Sequence, residues 1–226
     1  MAEFIFMFTH HDATVANALE VYDELRHTGL RHVGFKDIGV SIETLTELCR
    51  RMHDDGRTVY LEVVSVTADD ELRSIAAARE IGVDVVMGGT HVDAALPVLQ
   101  GSGLRYMPFP GRIVGHPSIL EGTTEEIAAS AADLTSRPGV FGLDLLAYRH
   151  ADPVEPIIDA VVRASAGPVV IAGSIDSAER IEAVTNLGAW GFTIGGAVFE
   201  RVLPAGPSLT DQVEWTLRTA AEAAAR

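Results

Sequence analysis

The apolar positions of the chain gather into eight short, nearly unbroken runs, at 4–8, 32–36, 58–64, 84–87, 105–109, 140–145, 168–172 and 190–194. Runs of this length with little polar alternation predict strands buried on both faces, the condition of a parallel sheet. Seven of them follow a glycine, at Gly29, Gly56, Gly82, Gly103, Gly139, Gly167 and Gly188, at intervals of 21 to 36 residues. Glycine just past a helix end takes the left-handed conformation that closes the helix. The repeating unit is therefore helix, glycine turn, strand.

Between the runs the apolar positions fall at helical spacing. Leu19, Val21, Tyr22 and Leu25 form one stripe, and Val213, Leu217 and Ala220 form another on a C-terminal helix over 209–226, where it would seal the wall of the domain. Thr67-Ala-Asp-Asp70 and Thr123-Thr-Glu-Glu126 have the form of helix-opening capping boxes. Asp176-Ser-Ala-Glu179 and Ser208-Leu-Thr-Asp211 open two further helices. Eight strands alternating with eight helices predict an α/β protein of the (β/α)8 TIM-barrel type, one domain over residues 1–226. The competing arrangement is an open doubly wound sheet. It lacks support, because no Gly-x-Gly-x-x-Gly follows the first strand and no linker rich in Pro, Gly or Ser divides the chain.

Composition narrows the functional classes. With 47% hydrophobic and 22% charged residues in 226, the chain can build a core and is not disordered. A net charge of −15, with no cluster of four or more Lys/Arg, argues against nucleic acid and against an acidic membrane surface as partners. The single cysteine, Cys49, excludes an intramolecular disulfide and is too few for a zinc ribbon. The first residues lack the basic region of a signal peptide, and no apolar stretch approaches the ~18 residues of a membrane span, so the expectation is a soluble cytoplasmic protein. The sequence leaves open whether the chain is a monomer or a homo-oligomer.

In a barrel of this type the chemistry lies at the C-terminal ends of the strands. The polar residues that fall there are Thr9-His10-His11-Asp12, Lys36-Asp37, Glu62, Thr90-His91, Asp144 with Tyr148, Arg149 and His150 beyond it, Gly173-Ser174 and Gly195-Gly196. Lys36 is the only lysine of the chain. Barrel strands are dry on both faces, so a lysine at a strand end points to the open mouth. There it can act as a base or imine-forming nucleophile, or as a cation that polarises a carbonyl or binds an anion. The plainer alternative is a lysine that neutralises Asp37, Glu62 or Asp144. Glu62 and Asp144 each stand isolated among apolar neighbours, and a buried carboxyl suits either proton transfer or a core ion pair. His10 or His91 could serve as an acid/base. No metal is expected: His10, His11, Asp12, Glu62, His91 and Asp144 lack a close-spaced ligand motif, and adjacent histidines cannot both point inward from a regular strand. No nucleotide cofactor is expected either, in the absence of a dinucleotide fingerprint. The long segment 108–122 is either a lid or substrate loop or an insertion beside the barrel, with Arg112 and His116 as residues that could close over an anion.

The clearest local signal is the pair of strand–glycine–helix turns at 170–177 and 193–199. Glycine lets a phosphate approach backbone N–H groups, and in barrels the phosphate site lies after strands seven and eight. The stretches Ile171-Ala-Gly-Ser-Ile175, the helix over 178–187, Gly188-Ala-Trp-Gly191 and Ile194-Gly-Gly-Ala197 resemble the phosphate-binding half of the ribulose-phosphate-binding barrel superfamily. The pattern is that of N-acylmannosamine-6-phosphate epimerase and of the histidine- and tryptophan-biosynthesis isomerases. The resemblance covers residues 167–200. It implies a phosphorylated small-molecule substrate, with Gly173, Ser174, Gly195 and Gly196 as phosphate ligands. It supplies no catalytic residue, because the first six strands match no single member.

The expected function is an isomerase or epimerase of carbohydrate metabolism. It would act on a phosphorylated sugar or small phospho-carbonyl compound by proton abstraction next to the carbonyl, with Glu62 as base and Lys36 stabilising the enolate. The alternatives are an aldolase or lyase using an imine on Lys36, a metal-dependent version of the same chemistry, and a phosphate-ligand binding protein without chemistry.

Overall fold

The computed structural model describes residues 2–65, 67–115 and 117–225. Each apolar run forms a strand: β1 Glu3–Met7, β2 His32–Lys36, β3 Thr58–Val63, β4 Val85–Gly88, β5 Arg105–Met107, β6 Leu143–Leu145, β7 Val169–Ile171 and β8 Gly191–Ile194. Neighbours pair in parallel in the order β6-β7-β8-β1-β2-β3-β4-β5. The two outer strands of that order meet without a regular ladder. There the Phe141 N–H donates to the Tyr106 carbonyl at 2.8 Å and the Asp144 N–H to the Pro108 carbonyl at 3.1 Å. Proline has no N–H to give, so β5 stops at Met107 and the seam is bridged from one side only. The result is a nearly closed (β/α)8 barrel in a single domain, as the sequence predicts.

The helices are α1 Ala18–Leu25, α2 Ile42–Asp54, α3 Ala68–Ile81, α4 Val92–Leu99, α5 Thr124–Ser136, α6 Val154–Ala164, α7 Ala178–Asn186, the short α8 Gly196–Glu200, and α9 Leu209–Ala224. Thr123 and Ser208 both close full capping boxes. Helix α7 starts one residue later than the sequence suggests: Ser177, not Asp176, accepts the Arg180 N–H. No helix among the described residues is long and apolar enough to cross a membrane.

The period-two geometry of the strands sorts their side chains into two cores. Ile5, Met7, Tyr60, Val85, Met87, Met107 and Val170 form the barrel interior, against which Trp190 packs. The alternate residues, among them Phe4, Phe6, Val33, Phe35, Leu61, Val86 and Phe192, pack outward under the helices. The bottom of the barrel is stoppered by aromatic groups: Tyr60 Oη lies 3.0 Å from His32 Nδ1, and the His32 ring meets Trp190 edge-on. The same alternation carries Lys36 and Glu62, two residues above Gly34 and Tyr60 on neighbouring strands, to the inner face at the open end. Two small hairpins decorate that end. Thr9–His10 pairs with Ala13–Thr14 directly after β1, and Arg112–Val114 pairs with Ile119–Glu121 within the long segment after β5.

Gly34 makes the interior fit. A Cβ there would stand 2.6 Å from Met7 Sδ and 3.1 Å from Tyr60 Cβ. Gly34→Ala should therefore lower the unfolding free energy by about 1–3 kcal/mol through overpacking. In a Met7→Ala background the same change should cost much less, a coupling that urea denaturation of the four proteins measures directly.

Candidate active site

The mouth is organised by the hairpin after β1. Its strands are joined by two residues, His11 and Asp12, both with left-handed backbone at φ 49° and 62°. A two-residue loop with both φ positive normally takes Asn-Gly. Holding other residues there costs about 1–3 kcal/mol each and persists only where the surroundings enforce it. The enforcement comes from Thr14, whose hydroxyl donates to the Lys36 carbonyl at 2.7 Å and accepts from the Lys36 N–H at 3.0 Å. The hairpin is thereby pinned over the end of β2, and Asp12 is aimed inward.

The Lys36 ammonium then sits between two carboxylates. Nζ donates to Asp12 Oδ1 at 2.7 Å and lies 3.7 Å from Glu62 Oε2. Lys36 is 4% exposed and Glu62 9%. Arg149, on a short 3-10 turn at Ala147–Arg149 beyond β6, brings Nη2 to 3.6 Å from the same Asp12 oxygen. Asp144 is wholly buried and neither of its carboxyl oxygens has a hydrogen-bond partner among the described residues. Burial drives its pKa well above the ordinary carboxylate range, the charge of Glu62 adds to the rise, and Lys36 and Arg149 oppose it. A neutral Asp144 leaves two cations facing the two carboxylates Asp12 and Glu62, an arrangement that avoids an uncompensated charge in a dry place.

Above this cluster opens a cleft of about 990 Å³. Its walls include Lys36, Glu62, Asp12, His10 and all four turn residues, Gly173, Ser174, Gly195 and Gly196. Asp144 lies beneath, out of contact with solvent. His91 is not brought to the others. Its Nδ1 lies 2.9 Å from Glu71, a fully buried carboxylate that also accepts the backbone N–H groups of Thr90 and His91 and the Tyr106 hydroxyl. That set anchors the β4–α4 turn. Asp37 faces the outer layer and accepts the Ser74 hydroxyl. Pro117, Ser118 and Ile119 of the second hairpin form one wall of the cleft, whereas Arg112 points to Glu121 at 2.6 Å and not to the mouth. His116 lies outside the described residues.

Sequence reasoning placed Asp12, Tyr148 and Arg149 at the strand ends but did not pair Asp12 with Lys36 and gave Tyr148 and Arg149 no role. Arg149 packs its stem against the Gly173 turn, where a Cβ would stand 3.0 Å from its Cγ. Its Nε and the Tyr148 hydroxyl, both in the cleft wall, are buried polar atoms without a partner among the described residues. The one sequence signal for Asp12 is its type, since Asp tolerates left-handed backbone better than most residues. At the rim, His10, His11 and Glu200 are the described group whose nitrogen and carboxylate atoms lie close enough to share a cation.

A barrel with its polar residues collected at the C-terminal mouth is the class this fold and cleft define. Comparison with known proteins agrees on the architecture. The native KDPGal structure aligns with a TM-score of 0.69 at 15% identity, over 99% of this chain and 96% of its own. N-(5'-phosphoribosyl)anthranilate isomerase from Pyrococcus furiosus aligns at 0.66 and 15% identity, over 98% and 100%. The HpcH/HpaI aldolase from Desulfitobacterium hafniense DCB-2 aligns at 0.63 and 12%, over 88% of each chain. No family model and no curated protein matches the sequence, so the likeness is one of fold. The likeness of fold covers nearly the whole chain.

Asp144 gives the site a pH signature. Its raised pKa means that the native state keeps a proton the unfolded chain has released. Its contribution to stability therefore falls as pH rises from about 3.9 towards the raised folded value, by at most about 1.4 kcal/mol per pH unit. Asp144→Asn should flatten this part of the stability profile in denaturation series across about pH 4.5 to 7.5. Equal slopes for the two proteins would show that Asp144 is ionised when folded.

Proposed function

We propose that the chain is an isomerase or epimerase acting on a phosphorylated sugar or small phospho-carbonyl compound. The observation that carries this reading is convergence: the two glycine turns and the Lys36–Glu62 pair line one cleft. A phosphate seated between the turns after β7 and β8 would meet backbone N–H groups, with Arg149 packed against the first turn and Arg180 bonded to the Ser174 carbonyl of the same turn. The rest of the ligand then extends towards the pair. Glu62 takes the proton from the carbon next to the carbonyl. The Lys36 ammonium, already held as a donor, turns to the oxygen on which charge develops. In isomerisation Glu62 returns the proton to the neighbouring carbon while the adjacent hydroxyl gives up its proton and the former carbonyl oxygen takes one by way of solvent; in epimerisation solvent protonates the opposite face of the same carbon and Glu62 releases its proton to solvent. The raised pKa of Asp144, set first by its burial, disfavours a further negative charge beside Glu62.

The fold neighbours include both an isomerase and an aldolase. The pairing of Lys36 favours the former for this chain. An imine requires a free amine, and here Nζ is engaged by Asp12 and faces Glu62.

The test is exchange of C–H protons in D2O, followed by NMR over a panel of aldose and ketose phosphates. Isomerase chemistry predicts deuterium next to the carbonyl. It also predicts a rate loss of about 10²–10⁴-fold in Glu62→Gln and no adduct on Lys36 after borohydride. A borohydride-trapped adduct at Lys36 would establish the aldolase reading instead. Phosphate-dependent amide shifts at Gly173 and Gly196 without any exchange or cleavage would leave a binding protein.

A further inference from the structure

We propose that His10, His11 and Glu200 form a binding site for a divalent transition-metal ion of the zinc class at the rim of the cleft. The three come from separate elements that the fold brings together. His10 ends the first strand of the hairpin after β1, His11 begins its turn, and Glu200 is the last residue of α8. His10 Nε2 lies 3.2 Å from Glu200 Oε1. The His11 ring stacks on that of His10, with centroids 3.7 Å apart and planes at 33°. One donor atom from each residue falls within 4.8 Å of the others.

Adjacent histidines in a regular strand would point to opposite faces. These do not, because the strand ends at His10 and the left-handed backbone of His11 turns its ring back over its neighbour. The turn itself is held by the Thr14 bonds to the Lys36 backbone and by the Asp12–Lys36 pair. His11 is exposed, and an exposed pair such as His10–Glu200 contributes on the order of 0–1 kcal/mol at most. Arg201 does not neutralise Glu200 in the described structure; its guanidinium is taken up by the Pro207 and Phe199 carbonyls. The turn that aims Asp12 at Lys36 thus also gathers two imidazoles and a carboxylate at the rim.

The donor chemistry selects the ion. Imidazole nitrogens suit zinc, cobalt, nickel and copper, whereas magnesium and calcium require oxygen ligands. At Zn–N and Zn–O lengths of about 2.0–2.2 Å, tetrahedral donors stand about 3.4 Å apart, so the exposed side chains would close by roughly an ångström. Zinc would replace the hydrogen between His10 Nε2 and Glu200, with the neutral imidazole then carrying its proton on Nδ1. Three protein ligands leave at least one coordination position open, as in sites that bind a water or a substrate oxygen. All three residues line the cleft beside Gly196.

The experiment uses the full chain, stripped with a chelator and titrated with zinc by calorimetry, then with cobalt by visible absorption. Wild-type protein should take up one equivalent at this site, and magnesium in excess should not compete. Glu200→Gln and His11→Asn should each weaken zinc binding by at least about tenfold. His11→Asn is informative because asparagine suits the left-handed turn, so the hairpin should survive, which thermal unfolding checks. Unchanged zinc affinity in both variants, absence of binding at micromolar zinc, or equal competition by magnesium would overturn the proposal. None of these readouts depends on phosphate binding or turnover, so the site can fail while the proposed reaction stands, and the reverse.

Discussion

The mouth of this barrel depends on one arrangement: a lysine ammonium, nearly out of contact with solvent, shared between Asp12 and Glu62. Removing such charges from water is expensive, and the expense is offset only when geometry is close and every charge has a counterpart. That requirement accounts for the features around it. Asp12 must reach across from the β1 hairpin, so the hairpin adopts an unfavourable turn and is pinned by Thr14 to the backbone of Lys36. Burial raises the Asp144 pKa and the charge of Glu62 adds to the rise, so ionising this third carboxyl is opposed. Taking away the lysine would leave two carboxylates and a buried carboxyl crowded together with only Arg149 to compensate.

Much of the architecture was legible because it rests on local rules. Apolar runs, the left-handed glycines at 56, 82, 103, 139 and 188 and the Thr123 and Ser208 caps each act within a few residues as read, whereas Gly29 and Gly167 do not take the left-handed backbone expected of them. The inward placement of Lys36 and Glu62 was also legible, since strand periodicity fixes it once the strand is known. The strand ends moved where tertiary contacts decide: β5 and β7 are shorter than their apolar runs, as Pro108 and Pro168 bring carbonyls to their neighbours but no N–H.

The parts of the site that were not legible are those set by contacts distant in sequence. Asp12 meets Lys36 across 24 residues, and nothing in Thr9-His10-His11-Asp12 announces a two-residue turn, since the usual Asn-Gly is absent. Arg149 gains its place from a short 3-10 turn after β6 and from the glycine at 173, which leaves room for its stem. His91 had the right position along the strand but the wrong company. The buried carboxylate of Glu71, arriving from α3, needs donors for its oxygens and draws the histidine and its backbone to itself.

The chain carries a net charge of −15, which would repel a phosphate ester at long range. Recognition of an anion by this surface therefore has to be local. Screening over about 8–10 Å at physiological salt confines most of the distant carboxylates' effect, while oriented peptide dipoles and a cation inside the cleft act at contact. The residues at the glycine turns answer that need: two loops with little side-chain bulk, and Arg149 laid against one of them. The same excess of acid works in favour of a cation. A divalent ion approaching His10, His11 and Glu200 moves down the general field of the protein rather than against it. Bound beside the Gly196 turn, it would supply positive charge at the edge of the cleft where the sequence offers neither lysine nor a free arginine-rich patch. Electrostatics on two length scales thus gives the strained hairpin a double consequence: Asp12 fixes the cation within the mouth, and His11, its neighbour in the turn, supplies a ligand for a second one at the rim.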